Sequence, residues 1–172
     1  MRRFLLILLA LAAFALVPAA SASAANTVTG VCSIAGSAHF SPNGLTNTPT
    51  ALGYNFSGTG SCSGTLNGTP IVSAPVSTNV NGSGTLSCAA AVSTTGTGTL
   101  TFPNQGVTIG FSISLAGAGS EVGFAITGNG GGAGAGHASF ATNAARVQEC
   151  QNPTGLNDLG FTVEAAAANL TG

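Results

Sequence analysis

The chain is expected to fold as an antiparallel β-sandwich, Ig-like or jelly-roll-like, of about eight or nine strands. Three observations predict it. Apolar residues alternate with Ser, Thr, Gly and Asn along most of the chain, which is the period of half-buried strands. Turn residues punctuate the alternating runs, and no run keeps a 3.6-residue period. Four cysteines, Cys32, Cys62, Cys88 and Cys150, supply crosslinks of the kind found in exported β domains.

The N-terminus reads as a secretory signal peptide over residues 1–24. Arg2 and Arg3 precede an apolar run from Phe4 to Val17, and Ala22-Ser23-Ala24 forms an A-x-A cleavage site. The run falls short of the about 20 residues that a membrane span needs. Its Leu-rich character favours the general secretory route, and the expected localisation is extracellular. Residues 25–172 remain as a single β domain, long enough to bury a full core.

Each strand segment follows from its alternation. The first points Val28, Cys32, Ile34, Ala38 and Phe40 inward, and the second Leu52, Tyr54, Phe56, Cys62 and Leu66. The third has Val72, Ala74, Val76 and Val80, with Pro75 marking an edge strand. A three-residue loop, Val80-Asn81-Gly82, is expected to lead into the fourth, with Leu86, Cys88, Ala90 and Val92 inward. A two-residue Asn81-Gly82 turn would place Val76 and Val80 on the face of Ser83 and Ser87. Leu100 and Phe102 form the fifth segment, and Val107, Ile109, Phe111, Ile113 and Leu115 the sixth.

Centring a type I turn on Pro103-Asn104-Gln105-Gly106 sets Phe102 opposite Val107 and Leu100 opposite Ile109. A turn at Ala118-Gly119 sets Leu115 opposite Val122 and Ile113 opposite Phe124. Val122, Phe124 and Ile126 follow, then Ala138 and Phe140, and finally Phe161, Val163 and Ala165. The Gly-rich stretch Gly128–Gly136 reads as a flexible connection: it lacks the lysine of a phosphate-binding loop. Residues 143–158 break the alternation, with room for one helical turn near Ala144–Cys150.

The even cysteine count predicts two disulfides, and the favoured pairs are Cys32–Cys62 and Cys88–Cys150. Zinc spacing is absent, so no metal is expected, and no cofactor either. After cleavage Arg146 is the one cation, against Glu121, Glu149, Asp158 and Glu164. A phosphate backbone needs several Lys or Arg contacts, so nucleic-acid binding is excluded.

Catalytic residues are scarce. For a hydrolase the first choice is His137 with a carboxylate among Glu121, Glu149 and Asp158, and a glycosidase pair would draw on Glu121, Glu149, Asp158 and Glu164; both His39 and His137 fall on the outward parity. Outward hydroxyl rows, Thr97, Thr99 and Thr101 and then Ser83, Thr85 and Ser87, suggest a glycan or cell-wall surface. The uncharged, β-prone run Val107–Leu115 would drive self-association if it lay on an edge.

The signal peptide, the Gly30-Val31-Cys32 and Gly60-Ser61-Cys62 placements and the Ser/Thr/Gly outer faces resemble the small secreted β-sandwich proteins of actinobacteria. In size and composition the chain is also similar to the apoproteins that carry enediyne chromophores, although their close-spaced cysteine pairs are not present. The resemblance implies an exported, disulfide-bonded sandwich of a kind mostly without an assigned activity. The expected function is a non-enzymatic extracellular binding or structural module. The alternatives are a small hydrolase and a carrier or inhibitor for one apolar ligand or one protein partner. A hydrolase would bring a His and a carboxylate within about 4 Å in a cleft. A carrier would enclose an apolar pocket of roughly 300–1,000 Å³.

Overall fold

The computed structural model describes residues 25–118, 120–141 and 143–172, except for the side chains of Val92 and Ala168. The signal-peptide reading, Gly119 of one expected turn and the inward placement of Val92 therefore lie outside the described residues. Eight strands follow one another: β1 Thr27–Ser41, β2 Thr50–Leu66, β3 Thr69–Leu86, β4 Ala90–Phe102, β5 Val107–Ala118, β6 Glu121–Gly128, β7 Gly131–Phe140 and β8 Asp158–Thr171. One short helix, α1 (Ala144–Glu149), sits between β7 and β8.

The all-β antiparallel class holds. The sheet, however, closes on itself in simple chain order rather than dividing into two layers. Closure comes from β8, which pairs with β1 from Thr27 opposite Thr171 to His39 opposite Asp158. This satisfies the backbone groups that a sandwich would leave along its edge strands. Small inward residues allow the sheet to curl: Gly36 of β1 lies directly opposite Gly58 of β2.

The inward sets of β1 and β2 are as the alternation implies. So is the β4–β5 register, with Phe102 opposite Val107 and Leu100 opposite Ile109. Several details differ. The third segment and the start of the fourth are one continuous 18-residue strand, and Asn81-Gly82 forms no loop. The parity conflict of a two-residue turn has a simpler resolution: Val76, Thr78, Val80 and Leu86 all face inward along one uninterrupted alternation. The turn falls instead at Asn67-Gly68, where both residues have positive φ (51° and 78°), as a type I′ hairpin requires.

Val72 is 85% exposed, and Ile71 takes the inward place. The cause is a bulge between Cys62 and Gly64 of β2, opposite which β3 carries the extra residue; Ser73 there has φ 47°. Pro75 lies in residues 69–76 of β3, which pair with β2 alone, so its edge character is local.

The β5–β6 turn is displaced by one residue from the expected Ala118-Gly119. Ala118 pairs with Glu121, which sets Leu115 opposite Phe124 and Ile113 opposite Ile126. The pairing shifts by two residues, so the inward face is preserved. Gly131–Gly136 is not a flexible connection but the first part of β7, and Ala133–Gly136 pair with both β6 and β8. Inward-facing Gly136 leaves room for a ring: a Cβ there would come within 2.6 Å of Phe124 Cζ. Ser87 is buried, not outward, and its Oγ accepts hydrogen bonds from the amides of Ala89 and Ala90 at the β3–β4 connection.

Both disulfides join the pairs that the sequence favours. Cys32 and Cys62 are direct cross-strand neighbours on β1 and β2. Cys88–Cys150 ties the β3–β4 connection to the residue after α1. In the chain-entropy model such loops each stabilise the fold by about 3–4 kcal/mol. Crosslinks of this kind fit an oxidising compartment. Among the described residues no helix is long and apolar enough to cross a membrane. The outward positions of the barrel carry Ser33, Ser57, Thr59, Thr97, Ser112 and Thr127, whereas a membrane barrel would present an apolar band there.

Candidate functional site: a hollow at one end of the barrel

The two ends of the barrel are built differently. At one end lie the tight β2–β3, β4–β5 and β6–β7 turns and both described termini, joined by backbone hydrogen bonds between Asn26 and Gly172 (3.1 and 3.2 Å). Inward residues there are large and close-packed: Phe102 and Ile109 are fully buried, and Val28 and Leu170 are 1% exposed.

At the other end gather the β1–β2 loop, the β3–β4 connection and the long β7–β8 segment carrying α1. Below them the interior is a cavity of about 420 Å³. Its walls are overwhelmingly apolar, with Val80, Phe111, Ile113, Phe124, Ile126 and Ala138 among them. Eight strands give an interior just wide enough to be filled by side chains or to hold one small ligand. In this barrel the first case applies at one end and the second at the other.

The mouth is covered by loops clipped to one another. Leu45 and Leu156 exchange backbone hydrogen bonds of 2.8 Å, Cys88 N donates to Thr46 O (2.9 Å), and Asn47 N donates to Cys150 O (3.2 Å). The Cys88–Cys150 disulfide fastens the same cover covalently. Helix α1 begins where the sequence allows a helical turn: Asn143 caps it by accepting the Arg146 amide at 3.0 Å. None of its residues is buried. Its position is held instead by Arg146, whose Nη1 donates to Glu149 Oε2 and to the Asp158 carbonyl, each at 3.0 Å. Val147 of α1 lines the cavity and is 55% exposed, an apolar lip at the mouth.

Thr78, Ser87, Thr94 and Tyr54 are the buried polar side chains among the residues lining the cavity. Thr78 donates to Thr99 O (2.9 Å) and Thr94 to Leu115 O (3.1 Å). Tyr54 is 9% exposed, and its hydroxyl is the one buried side-chain polar atom among the described residues that lacks a hydrogen-bond partner. Burial pushes the Tyr54 phenol up from 10.0 to about 12, partly offset by the Thr94 hydroxyl, which faces it as a weak polar neighbour without the geometry of a formed hydrogen bond.

The residues from which a hydrolase might be built do not converge here. His39 Nδ1 meets Asp158 Oδ1 at 2.9 Å, and His137 lies 4.0 Å from Glu164, but both are cross-strand pairs on the outer surface. Glu149 pairs with Arg146. Glu121 is exposed at the start of β6, opposite Ala118 and Ser139. No group of three or more potential metal ligands occurs among the described residues.

The sequence places Tyr54 on the inner face correctly but gives no sign of its solitary role. That depends on which neighbours are satisfied and on the hollow beside it. Compared with protein-family models, with curated proteins and with solved structures, the chain has no match in any of the three. The cavity therefore has to be read from its own chemistry.

Proposed function

We propose that this protein is an exported, non-enzymatic binder that holds one small apolar molecule inside its barrel. The observation that carries the reading is the cavity of about 420 Å³, roofed by crosslinked loops. It falls within the roughly 300–1,000 Å³ typical of small-molecule sites. Of the functions open to the sequence, a carrier is the one that calls for such a hollow. A hydrolase needs an acid–base pair facing its substrate, and here the histidines meet their carboxylates on the outside. A sticky edge has little support either: Val107–Leu115 lies in β5, paired with β4 along its length and with β6 from Phe111 onward. The one-sided stretch of β3 carries Pro70 and Pro75, which discourage pairing with another chain. Secretion through the signal peptide accounts for the disulfides, which form in an oxidising compartment.

The test is calorimetric titration of the secreted chain with naphthalene-sized hydrocarbons. Saturable one-to-one binding, weakened when Ala138→Leu narrows the hollow, supports the reading. Absence of saturable binding across a graded series of such compounds refutes it.

A further inference from the structure

Resting on that reading of the cavity, we infer that its ligand is a neutral molecule with an apolar body and one hydrogen-bond acceptor, a ketone, ester or ether oxygen, that takes the Tyr54 hydroxyl proton. Of the polar side chains buried in this barrel, Thr78, Ser87 and Thr94 are occupied by backbone partners. Only Tyr54 Oη is left without a well-formed hydrogen bond among the described residues, the Thr94 hydroxyl being a weak neighbour whose own proton goes to Leu115 O. An unpaired buried hydroxyl is costly, and this one is shut off from the hollow as the ring lies, so a ligand's acceptor meets it when the ring turns inward; a donor so used fixes a ligand's orientation.

The wall is shaped around that hydroxyl. Tyr54 on β2 lies beside Gly82 on β3, which lies beside Gly96 on β4. A Cβ on Gly96 would come within 2.8 Å of Tyr54 Oη, and one on Gly82 would come closer still. Both inward positions therefore have to be glycine for the phenol to lie across them. This explains why an Asn-Gly dipeptide sits in the middle of a long strand. Asn81 itself points outward, bonding Asn55 and Asn79.

Charge selects the rest of the ligand. Arg146 is the cation that reaches the cavity, and it stands at the mouth already paired with Glu149. A carboxylate drawn inside would leave water without a free counter-charge, which is strongly unfavourable. Buried tyrosine stays protonated well past physiological pH and so offers a proton rather than a negative charge.

The experiment compares two probes of similar shape: a neutral 2-acylnaphthalene, whose emission reddens when its carbonyl accepts a hydrogen bond, and 2-ethylnaphthalene. Each is titrated into the wild-type chain and into Tyr54→Phe. The inference predicts that Tyr54→Phe weakens the ketone by roughly three- to tenfold, the span of one neutral hydrogen bond. The bound ketone's emission should shift to the blue, and hydrocarbon affinity should not change. Equal losses for both probes, or none for either, overturn the acceptor while leaving the apolar-ligand reading intact. Failure of both probes to bind the wild type overturns that reading itself. Tighter binding of 2-naphthoate than of the ketone overturns the neutral ligand. Tyr54→Phe removes an unsatisfied hydroxyl, so its melting temperature should equal or exceed the wild type's. A folded variant is thereby available for the comparison.

Discussion

The two ends of this barrel are made from the same eight strands and the same alternation, yet one is solid and the other hollow. At the solid end the inward positions carry Phe102, Ile109, Val28 and Leu170, all at most 1% exposed. At the hollow end smaller residues take many of the corresponding places, with Gly82, Gly96, Gly136 and Ala138 among them, and a space of about 420 Å³ remains. The difference teaches that stability and binding can be divided along a barrel axis. Tight turns and large side chains hold one end; a disulfide and a few clipped loops hold the other without filling it.

Substitutions should reveal the division. The largest effect is expected from Phe102→Ala at the solid end, where the ring is fully buried. Chemical denaturation should show a loss of about 3–5 kcal/mol. Next comes Cys88→Ser with Cys150→Ser, which should cost about 3–4 kcal/mol by the chain-entropy argument. This pair should also speed probe release in stopped-flow measurements, because it unfastens the mouth, whereas cutting Cys32–Cys62 should leave release unchanged. A third contrast uses added bulk. Ala74→Leu, at a buried position outside the cavity, should destabilise by about 1–3 kcal/mol through overpacking. Ala138→Leu, at the cavity wall, should leave the melting temperature nearly unchanged and weaken ligand binding. Equal thermal losses at the two alanines would dissolve the distinction between the ends.

A smaller effect lies in the alkaline range. Tyr54 is the only tyrosine in the chain and there is no tryptophan, so phenolate absorbance reports it alone. Its folded pKa, about 12, stands above the unfolded value of 10.0. The stability it contributes is therefore fully present below pH 10.0 and is lost as the pH rises through about 12. Absorbance should rise near pH 12 in the native chain and near pH 10 in the denatured chain. The smallest effect belongs to the outer surface. His39→Ala or His137→Ala should change stability by no more than about 0.5 kcal/mol, since both pairs are well exposed. Neither should affect probe binding.

Much of the solid end is legible in the sequence. Alternation fixes the inward faces of β1 and β2, and the requirement that both sides of a turn share a face fixes Phe102 opposite Val107. Cysteines on matching inward positions give the Cys32–Cys62 pair. Local chemistry is less decisive where packing overrides it. Asn67-Gly68 and Asn81-Gly82 are the same dipeptide, but the first turns and the second runs straight under a tyrosine ring. A bulge at Ser73 exchanges Val72 for Ile71, an irregularity that a strict period of two cannot anticipate. Closure into a barrel depends on β8 finding β1 across more than a hundred residues, which no local pattern records. The hollow is the least visible feature of all. Small residues facing inward look in sequence like weak strands, and only their meeting in space shows that the volume they leave is shared.

Methyl-resolved NMR of the secreted chain, titrated with the neutral naphthyl ketone, tests the account most directly. The account predicts saturable shifts at Val80, Leu115, Ile113 and Ile126 around the cavity, with Val28, Leu66 and Ile109 at the solid end unmoved. Shifts spread evenly over both ends, or confined to the outer surface, would contradict it.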